Sequence, residues 1–215
     1  MEKNQKEMLN KLMEDLRGIS YIKPQDVPNI ELYMDQVTTF MDQHLESTKR
    51  YSEDKLLTKT MINNYTKNEL LPSPVKKKYS KDHMLLLVFI YYLKNILSIT
   101  DIQALLHPLT EMFFLGKGEI SLEEIYKEVF EMEQSQSVYV TKDMMHKATA
   151  AEQMFSELQD EEQKEYLQNF AYACLLSYDI YTKRQMLERL IDEKFDPKRE
   201  KSTEKKNTEK KQNKK

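Results

Sequence analysis

The sequence predicts an all-α protein. Its 215 residues include only three glycines and no tryptophan, whereas Glu, Lys, Leu and Met are abundant. These four residue types are strong helix formers, and apolar residues recur at helical spacing in several segments. The length is sufficient for one good-sized domain or two small ones.

The stretch from residue 57 to residue 79, LTKTMINNYTKNELLPSPVKKKY, carries the main functional signal. It begins with a predicted helix at residues 58–67. Met61 and Tyr65 share one apolar stripe with Leu57, which directly precedes the helix, and Ile62 lies beside this stripe. The opposite face is polar. Its side chains suit a DNA duplex, because Asn can bridge adenine and Lys supplies charge for phosphates. This polar face consists of Lys59, Thr60, Asn63, Asn64 and Lys67.

A proline-rich turn and a basic loop follow this helix. Pro72 and Pro74 end it, because proline lacks an amide donor and pushes the preceding residue out of the helical region. Three lysines, residues 76–78, then lead to Tyr79. The order helix, proline turn and basic loop is typical of a winged helix-turn-helix. The support helix is predicted at residues 30–46, with Asn29 as its N-cap.

The same stretch resembles the DNA-binding domain of MerR-type bacterial regulators. Residues 61–65, MINNY, lie where that family has Thr-Leu-Arg-Tyr-Tyr in its recognition helix. Leu70 and Leu71 match its Leu-Leu pair. Three departures are that Asn63 replaces the family's arginine, that Glu69 replaces its usual glycine, and that the loop before Tyr79 lacks its glycine turn.

The resemblance continues beyond the basic loop. Tyr79-Ser80 with Asp82 matches the Tyr-Ser and acidic residue that open the next helix, and residues 98–102, SITDI, look like Ser-Leu-x-Glu-Ile. Within this broad group, the runs TMINNY, KKKYSKDH and LYMDQV are similar to a bacterial family known mainly as a domain of unknown function.

The resemblance implies a sequence-specific transcription regulator that binds double-stranded DNA. A repressor is the simpler expectation, because activation requires distortion of the promoter. A homodimer is expected too, since helix-turn-helix proteins commonly pair across two half-sites. Its surface is predicted within residues 141–190, and a small-molecule effector stays open. The predicted DNA contacts are Thr58, Lys59, Thr60, Asn63, Asn64, Lys67, Lys76, Lys77, Lys78 and Tyr79.

Four parts are predicted along the chain: an N-terminal helix and linker at 1–28, a MerR-like DNA-binding domain at 29–108, an acidic helical bundle at 109–196 and a disordered basic tail at 197–215. The first part holds a predicted amphipathic helix at residues 4–16. The tail has no apolar residue after Pro197, so it cannot build a core.

Capping signals and breakers delimit the other predicted helices. Ser80 caps an apolar helix that runs to about Asn95. His83 lies in its first turn as a solvent-facing or capping residue. A second helix begins at a capping box of Ser98 and Asp101 and ends at Pro108. A third begins at a capping box of Ser121 and Glu124 and ends at residue 133, before the run QSQS. Two or three long helices then fill residues 141–195, with an interruption near Gln159-Asp160.

Charge is segregated along the chain. Residues 49–83 hold nine Lys/Arg and four Asp/Glu, a balance of +5, whereas residues 101–170 hold five and fifteen, a balance of −10. Residues 197–215 hold nine and three, a balance of +6. This pattern is typical of a basic half that binds nucleic acid joined to an acidic half that stays off the phosphates. Ordinary solvated helix faces are the alternative interpretation.

The sequence lacks the usual signals of catalysis, and no enzyme activity, metal or cofactor is predicted. It has no glycine-rich phosphate loop and no cysteine pair for zinc. Asp143 and His146 have the spacing of two metal ligands on one face of a helix. A helical di-metal site, however, needs two such pairs and two more acidic residues. Cys174 lies in an apolar setting and is predicted to be a buried, inert thiol.

Two further expectations concern location and class. The longest apolar run, residues 84–93, is far shorter than the ~20 residues of a membrane span, and the N-terminus lacks a signal-type apolar core. A cytoplasmic protein is therefore expected. The alternative to a DNA-binding regulator is a helical adaptor that binds another protein through its acidic half, rich in Met and Tyr.

Overall fold

The computed structural model describes residues 22–196, apart from the side chains of residues 133 and 134. This part of the chain is mostly helical, which confirms the predicted class: it has six α-helices and one small two-stranded sheet. The predicted helix at residues 4–16 and the predicted disordered tail at 197–215 lie outside the described residues.

The elements follow one another in a simple order. Short 3₁₀ turns lie at Pro24–Asp26, Glu46–Thr48 and Phe114–Gly116. The strands and helices are β1 (Leu32–Tyr33), α1 (Met34–His44), α2 (Lys59–Lys67), β2 (Lys78–Tyr79), α3 (Lys81–Leu93), α4 (Ile99–Phe113), α5 (Leu122–Glu152) and α6 (Glu161–Lys194).

The described chain forms two compact units. The first unit comprises Ile22–Lys127 together with residues 184–196, and the second comprises Glu128–Lys183. Helices α5 and α6 each have residues in both units. Within residues 22–196, no helix is both long and apolar enough to cross a lipid bilayer.

Helix α3 forms the core of the first unit. Its side chains from Met84 to Val88 and that of Ile90 are fully buried, because this helix is apolar on almost every face. The prediction that it is a buried axis is confirmed.

The start of helix α1 differs from the prediction. Residues 32 and 33 are extended rather than helical, since Leu32 pairs with Tyr79 and Tyr33 with Lys78 in an antiparallel register. Helix α1 therefore begins at Met34, and the Tyr33 amide donates to Gln36 Oε1 at 2.9 Å. The N-cap at Asn29 and the helical start at Ile30 were wrong because pairing with a distant strand outweighed a local capping signal.

The predicted capping boxes at the starts of α4 and α5 are confirmed. Ser98 Oγ accepts from the Asp101 amide at 3.2 Å, and Asp101 Oδ2 accepts from the Ser98 amide at 3.3 Å. Ser121 and Glu124 form the same reciprocal pair, with distances of 3.1 and 2.8 Å. Both pairs satisfy amide groups that a helix end leaves without a partner.

Helix α4 does not end at Pro108, as the sequence predicted; it continues to Phe113. Proline removes one helical hydrogen bond, but it does not forbid the turns on either side. Ile102 and Leu106 are buried before the proline, and Phe114 is buried just after the helix. The burial of apolar side chains before and after Pro108 stabilises the helix and offsets the hydrogen bond that the proline removes.

Helix α5 continues through the QSQS run, where a break was predicted, and ends at Glu152. Ser and Gln are only modestly worse helix formers than Ala, and no Gly or Pro lies between Leu122 and Glu152. The interruption predicted near Gln159-Asp160 is confirmed, because α6 begins at Glu161.

Two long-range hydrogen bonds hold the ends of the first unit to its core. The Tyr126 hydroxyl, fully buried, donates to the Ile22 carbonyl at 2.6 Å. The Leu115 amide donates to Asp82 Oδ2 at 2.7 Å, which joins the segment after α4 to the start of α3.

The second unit is a pair of helical segments with a thin interior. Its buried side chains include Ala148, Ala151 and Ala171. Gln168 Nε2 donates to the carbonyls of Glu152 and Met154, at 2.6 and 3.0 Å. Cys174 is exposed, so the prediction of a buried thiol was wrong. Its apolar neighbours in sequence do not enclose it, because this face of α6 is turned to solvent.

Candidate nucleic-acid interface

Helix α2 has the two faces that its sequence predicts. Ile62 and Tyr65 are buried and attach the helix to the first unit. Burial raises the pKa of the Tyr65 phenol above its usual value, so this residue stays neutral. The five polar residues predicted to face DNA all lie on the exposed side: Lys59, Thr60, Asn63, Asn64 and Lys67.

The two ends of α2 are capped by different sets of hydrogen bonds. At the start, the Thr58 hydroxyl accepts a hydrogen bond from the Met61 amide at 3.2 Å, so Thr58 is the N-cap. At the other end, Glu69 adopts a left-handed backbone, with φ of 57°. The Leu70 amide donates to the Tyr65 carbonyl at 2.9 Å and the Glu69 amide to the Thr66 carbonyl at 3.2 Å. This is a Schellman motif, which usually has glycine at the position of Glu69.

Residues 75–78 form a tight turn, which we call the wing turn. The Lys78 amide donates to the Val75 carbonyl at 2.9 Å, and the two residues form a β-bridge. Lys76 and Lys77 at the centre have φ of 50° and 63°. Positive φ at both central residues is the mark of a type I′ turn, the two-residue hairpin turn whose twist matches that of its strands. The turn presents both lysine side chains to solvent.

Strand β2 turns Lys78 outward and Tyr79 inward. Successive residues of a strand point to opposite faces, and the register pairs Tyr79 with buried Leu32. Tyr79 is only 3% exposed, and its ring packs edge-on against His83, with centroids 5.5 Å apart. The prediction that Tyr79 contacts DNA was therefore wrong: its side chain belongs to the core.

Acidic neighbours distinguish the lysines of this surface. Lys59 forms an ion pair with Asp35, and Lys78 Nζ lies 3.5 Å from Glu31 Oε2. These pairs are solvent-exposed, so they are weak. Lys67, Lys76 and Lys77 form no ion pair with any residue in the range 22–196. Within the described part of the chain, no carboxylate therefore competes for these three lysines at contact distance.

Three residues beside this surface were missed by the sequence interpretation. Glu31 and Asp35 hold Lys78 and Lys59, and the exposed Tyr33 ring lies 5.7 Å from Lys78 Nζ. The alternation of Glu31, Leu32 and Tyr33 was the available signal, since it has the two-residue period of a strand. This strand pattern was overlooked because a helix was predicted to begin at Ile30.

His83 packs against the rings of Tyr79 and Phe114 and caps helix α3. Its Nδ1 accepts from the Ser80 amide at 3.0 Å, which confirms a capping role, but the ring is buried rather than solvent-facing. Nε2 is buried without a hydrogen-bond partner. Burial lowers the pKa of His83 below its usual value, although the carbonyls of Ser73 and Pro72 and the Asp82 carboxylate oppose this shift. The neutral ring is therefore the native form.

A comparison with protein families places these features in one domain. Residues 22–129, just over half of the chain, match the family model described as a domain of unknown function, DUF1836. The chain belongs to the DUF1836 family.

The DUF1836 match begins at buried Ile22, includes β1 to α4, and ends within α5. It therefore contains α2, the wing turn and their support. No curated protein and no solved structure matches the chain.

Proposed function

We propose that this DUF1836 protein is a sequence-specific DNA-binding regulator with a MerR-like winged helix-turn-helix. The observation that carries the proposal is the exposed polar face of α2 together with the wing turn. In a winged helix-turn-helix, the second helix enters the major groove and the wing contacts the backbone beside it. Helix α1 would be the support helix, α2 the recognition helix and residues 75–78 the tip of the wing.

Different residues take different roles in this proposal. Asn63 and Asn64 read bases, because the Asn amide can donate to and accept from adenine at once. Thr60 lies on the same face and contacts a base or a phosphate. Lys67, Lys76 and Lys77 bind phosphates, which sets affinity but not sequence preference. Thr58 contributes indirectly, because its hydroxyl caps the start of the recognition helix.

A single recognition helix reads few base pairs, so we propose that the protein binds as a homodimer on two half-sites. Repression by occlusion of a promoter is the simplest activity for such a dimer.

One observation favours a second candidate function, a helical protein-interaction adaptor without DNA binding. The second unit exposes many large apolar side chains, among them Tyr139, Tyr166, Phe170 and Tyr178. An exposed apolar surface of this kind marks a protein contact more often than a DNA contact.

The test begins with selection of a binding site from random duplexes, followed by titration of that site and of scrambled DNA. We expect Asn63→Ala and Asn64→Ala each to cost ~1–3 kcal/mol of discrimination, and to leave binding to scrambled DNA nearly unchanged. Asn169→Ala is the matched control, because Asn169 is exposed on α6 in the second unit. If both α2 variants bind like the parent, or if no sequence is enriched, the adaptor becomes the better description.

A further inference from the structure

The middle of helix α5 is exposed to solvent. Between residues 131 and 140, every side chain that the structure describes is exposed, those of residues 133 and 134 being outside the description. The helix is buried before this stretch at Phe130, and after it at Ala148 and Ala151. The stretch is therefore helical although none of its described side chains is buried.

The residues at the end of this stretch do not favour an exposed helix. Val138, Tyr139 and Val140 are β-branched or aromatic, and such residues suit strands better than helices. Helices in proteins owe most of their stability to the packing of an apolar face, because short helices alone are marginal in water. This part of α5 therefore needs a partner that covers it.

One face of this part of α5 carries most of its exposed apolar side chains. We call this face the α5 stripe: Val129, Met132, Gln136, Tyr139 and Val140. In a helix of 3.6 residues per turn, these positions lie within about 100° of one another. Met132, Tyr139 and Val140 are 68%, 67% and 51% exposed. Val138 is 55% exposed, but its position lies on the other side of the helix.

We propose that residues 4–16 of the same chain cover the α5 stripe and run antiparallel to α5. The sequence predicts an amphipathic helix for this segment, which lies outside the described residues. The predicted apolar side of the segment consists of Met8, Leu9, Leu12, Met13 and Leu16. Packing the two apolar faces together removes both from water, which stabilises the segment and the middle of α5 at once.

The chain enters the described part of the structure next to the α5 stripe. The Tyr126 hydroxyl donates to the Ile22 carbonyl at 2.6 Å, and both residues are buried. Tyr126 lies about one turn before Val129 on the same helix. The N-terminal segment is thus tethered beside one end of the stripe, which gives it a high effective concentration there.

The spacing of apolar residues is the same on the two faces. Met8 and Leu16 are eight residues apart, and so are Met132 and Val140. Each pair therefore spans about 12 Å along its helix. In the antiparallel arrangement, Leu16 lies against Met132 and Met8 lies against Val140.

The length of the connection favours the antiparallel direction. Leu16 and Ile22 are six residues apart, so an extended chain between them reaches at most about 20–22 Å. The antiparallel arrangement needs less, because Met132 is about 9 Å farther along α5 than Tyr126. A parallel arrangement would place Leu16 against Val140, about 21 Å from Tyr126 and at the limit of extension.

The first test is disulfide formation within the full chain, in a Cys174→Ser background that removes its sole cysteine. Met8→Cys with Val140→Cys should cross-link within one chain under mild oxidation. The matched control is Met8→Cys with Val138→Cys, because position 138 is similarly exposed but faces away from the stripe. We expect roughly tenfold less cross-linking in the control, since cysteines with Cα atoms more than about 7 Å apart cannot be bridged.

Three outcomes of this test would overturn the proposal. Equal cross-linking in the two pairs would show that the segment does not select the stripe. Cross-linking only between two chains would show that a second copy occupies it. Preferential cross-linking of Met8→Cys with Met132→Cys would show the parallel direction.

The second test measures how far the segment covers the stripe. Val140→Cys and Val138→Cys are each made in the Cys174→Ser background and labelled with a maleimide. Adding Leu9→Asp/Leu12→Asp places two charges on the apolar side of the segment, which opposes its burial. Labelling at position 140 should then accelerate several-fold, whereas labelling at position 138 should not change.

Circular dichroism and urea midpoints check that all variants keep the fold of the described part. An unchanged labelling rate at position 140, or the same acceleration at both positions, would contradict cover by the segment. Neither test contains DNA, so their failure would leave the proposed function standing, and the reverse also holds.

Discussion

Glu69 is one of the residues at which backbone geometry and side-chain type disagree. It occupies the left-handed position of the Schellman motif that ends α2, with φ of 57°. A residue with a Cβ atom is strained there, and glycine is not. The chain therefore ends its candidate recognition helix in a conformation with a local cost.

We predict that Glu69→Gly raises the free energy of unfolding by about 1 kcal/mol, because the strain of a non-glycine residue in this region is of that order. Urea titration followed by circular dichroism measures it. Asn68→Gly is the matched control, since Asn68 has φ of −94° and its side chain bonds to the Asn64 carbonyl. It should not stabilise the protein. Equal effects at the two positions would contradict this account.

We expect His83 to make the stability of the first unit depend on pH. Its folded-state pKa is lowered, mainly by burial, so the unfolded chain binds a proton more readily than the folded one. The stability that the neutral ring contributes is fully present above the unfolded pKa of about 6.5, and it is lost as the pH falls below that value. Each such group contributes at most about 1.4 kcal/mol per pH unit.

We predict that urea midpoints fall between pH 7.5 and pH 5.5, and that they fall less in His83→Gln. Glutamine at this position can still accept from the Ser80 amide as a capping box, but it does not titrate in this range. His107→Gln is the control, because His107 is exposed on α4. A parent and a His83→Gln variant with the same pH dependence would show that His83 is not the responsible group.

At the scale of elements, the wing turn combines strain with charge. Type I′ turns favour Asn-Gly, yet this turn has two lysines at positive φ. Two lysines are not the residues that make such a turn most stable, so the stability of the turn does not explain them. The result is a pair of exposed cations at the tip of a hairpin turn, just before the strand that pairs with β1.

The double variant Lys76→Asn/Lys77→Gly separates stability from binding. We expect it to raise the free energy of unfolding, since both residues suit the turn, and to weaken binding to all DNA sequences alike. If each lysine contacts one phosphate, the slope of log K against log salt should flatten by about 1.8. Binding by fluorescence anisotropy at several salt concentrations measures this.

The control for that variant is Lys23→Asn/Lys117→Gly, which removes the same charge from two exposed lysines outside the candidate interface. Binding lost to the same extent in both variants would mean that only net charge matters. Binding retained in both would exclude the wing turn as a phosphate contact.

The sequence was sufficient for elements that depend on neighbouring residues. The two faces of α2 and the capping boxes at Ser98 and Ser121 follow from spacing over a few positions, and the structure has them. The sequence was insufficient to predict elements that depend on contacts between residues far apart in the chain. Strand β1 exists because it pairs with residues some 45 positions later, and Tyr79 is buried by the same pairing. Helix α4 passes Pro108 because both flanks are packed, which no local pattern reveals.

At the scale of the molecule, the first unit is built from two separate parts of the chain. Residues 184–196 belong to it although the whole second unit intervenes. Ile191 in this returning segment is fully buried, whereas its neighbour Leu190 is 46% exposed. The DUF1836 match ends at residue 129, so it does not include this part.

We predict that Ile191→Ala lowers the free energy of unfolding by about 2–5 kcal/mol, the usual cost of such a truncation in a core. Leu190→Ala should cost far less, because its side chain is half exposed. Urea unfolding of the two variants measures the difference. Similar losses at the two positions would show that the returning segment is not part of the core.

The returning segment also has a consequence for synthesis. A ribosome makes residues 22–127 first, then the second unit, and only afterwards Ile191. During that interval the chain lacks Ile191, so the buried position that its side chain fills is still empty. Full stability, and with it protection from proteases, arrives only when the last turns of α6 have left the exit tunnel. Chains that end before Ile191 are therefore expected to be less stable, and more readily cleaved by proteases, than chains that contain it.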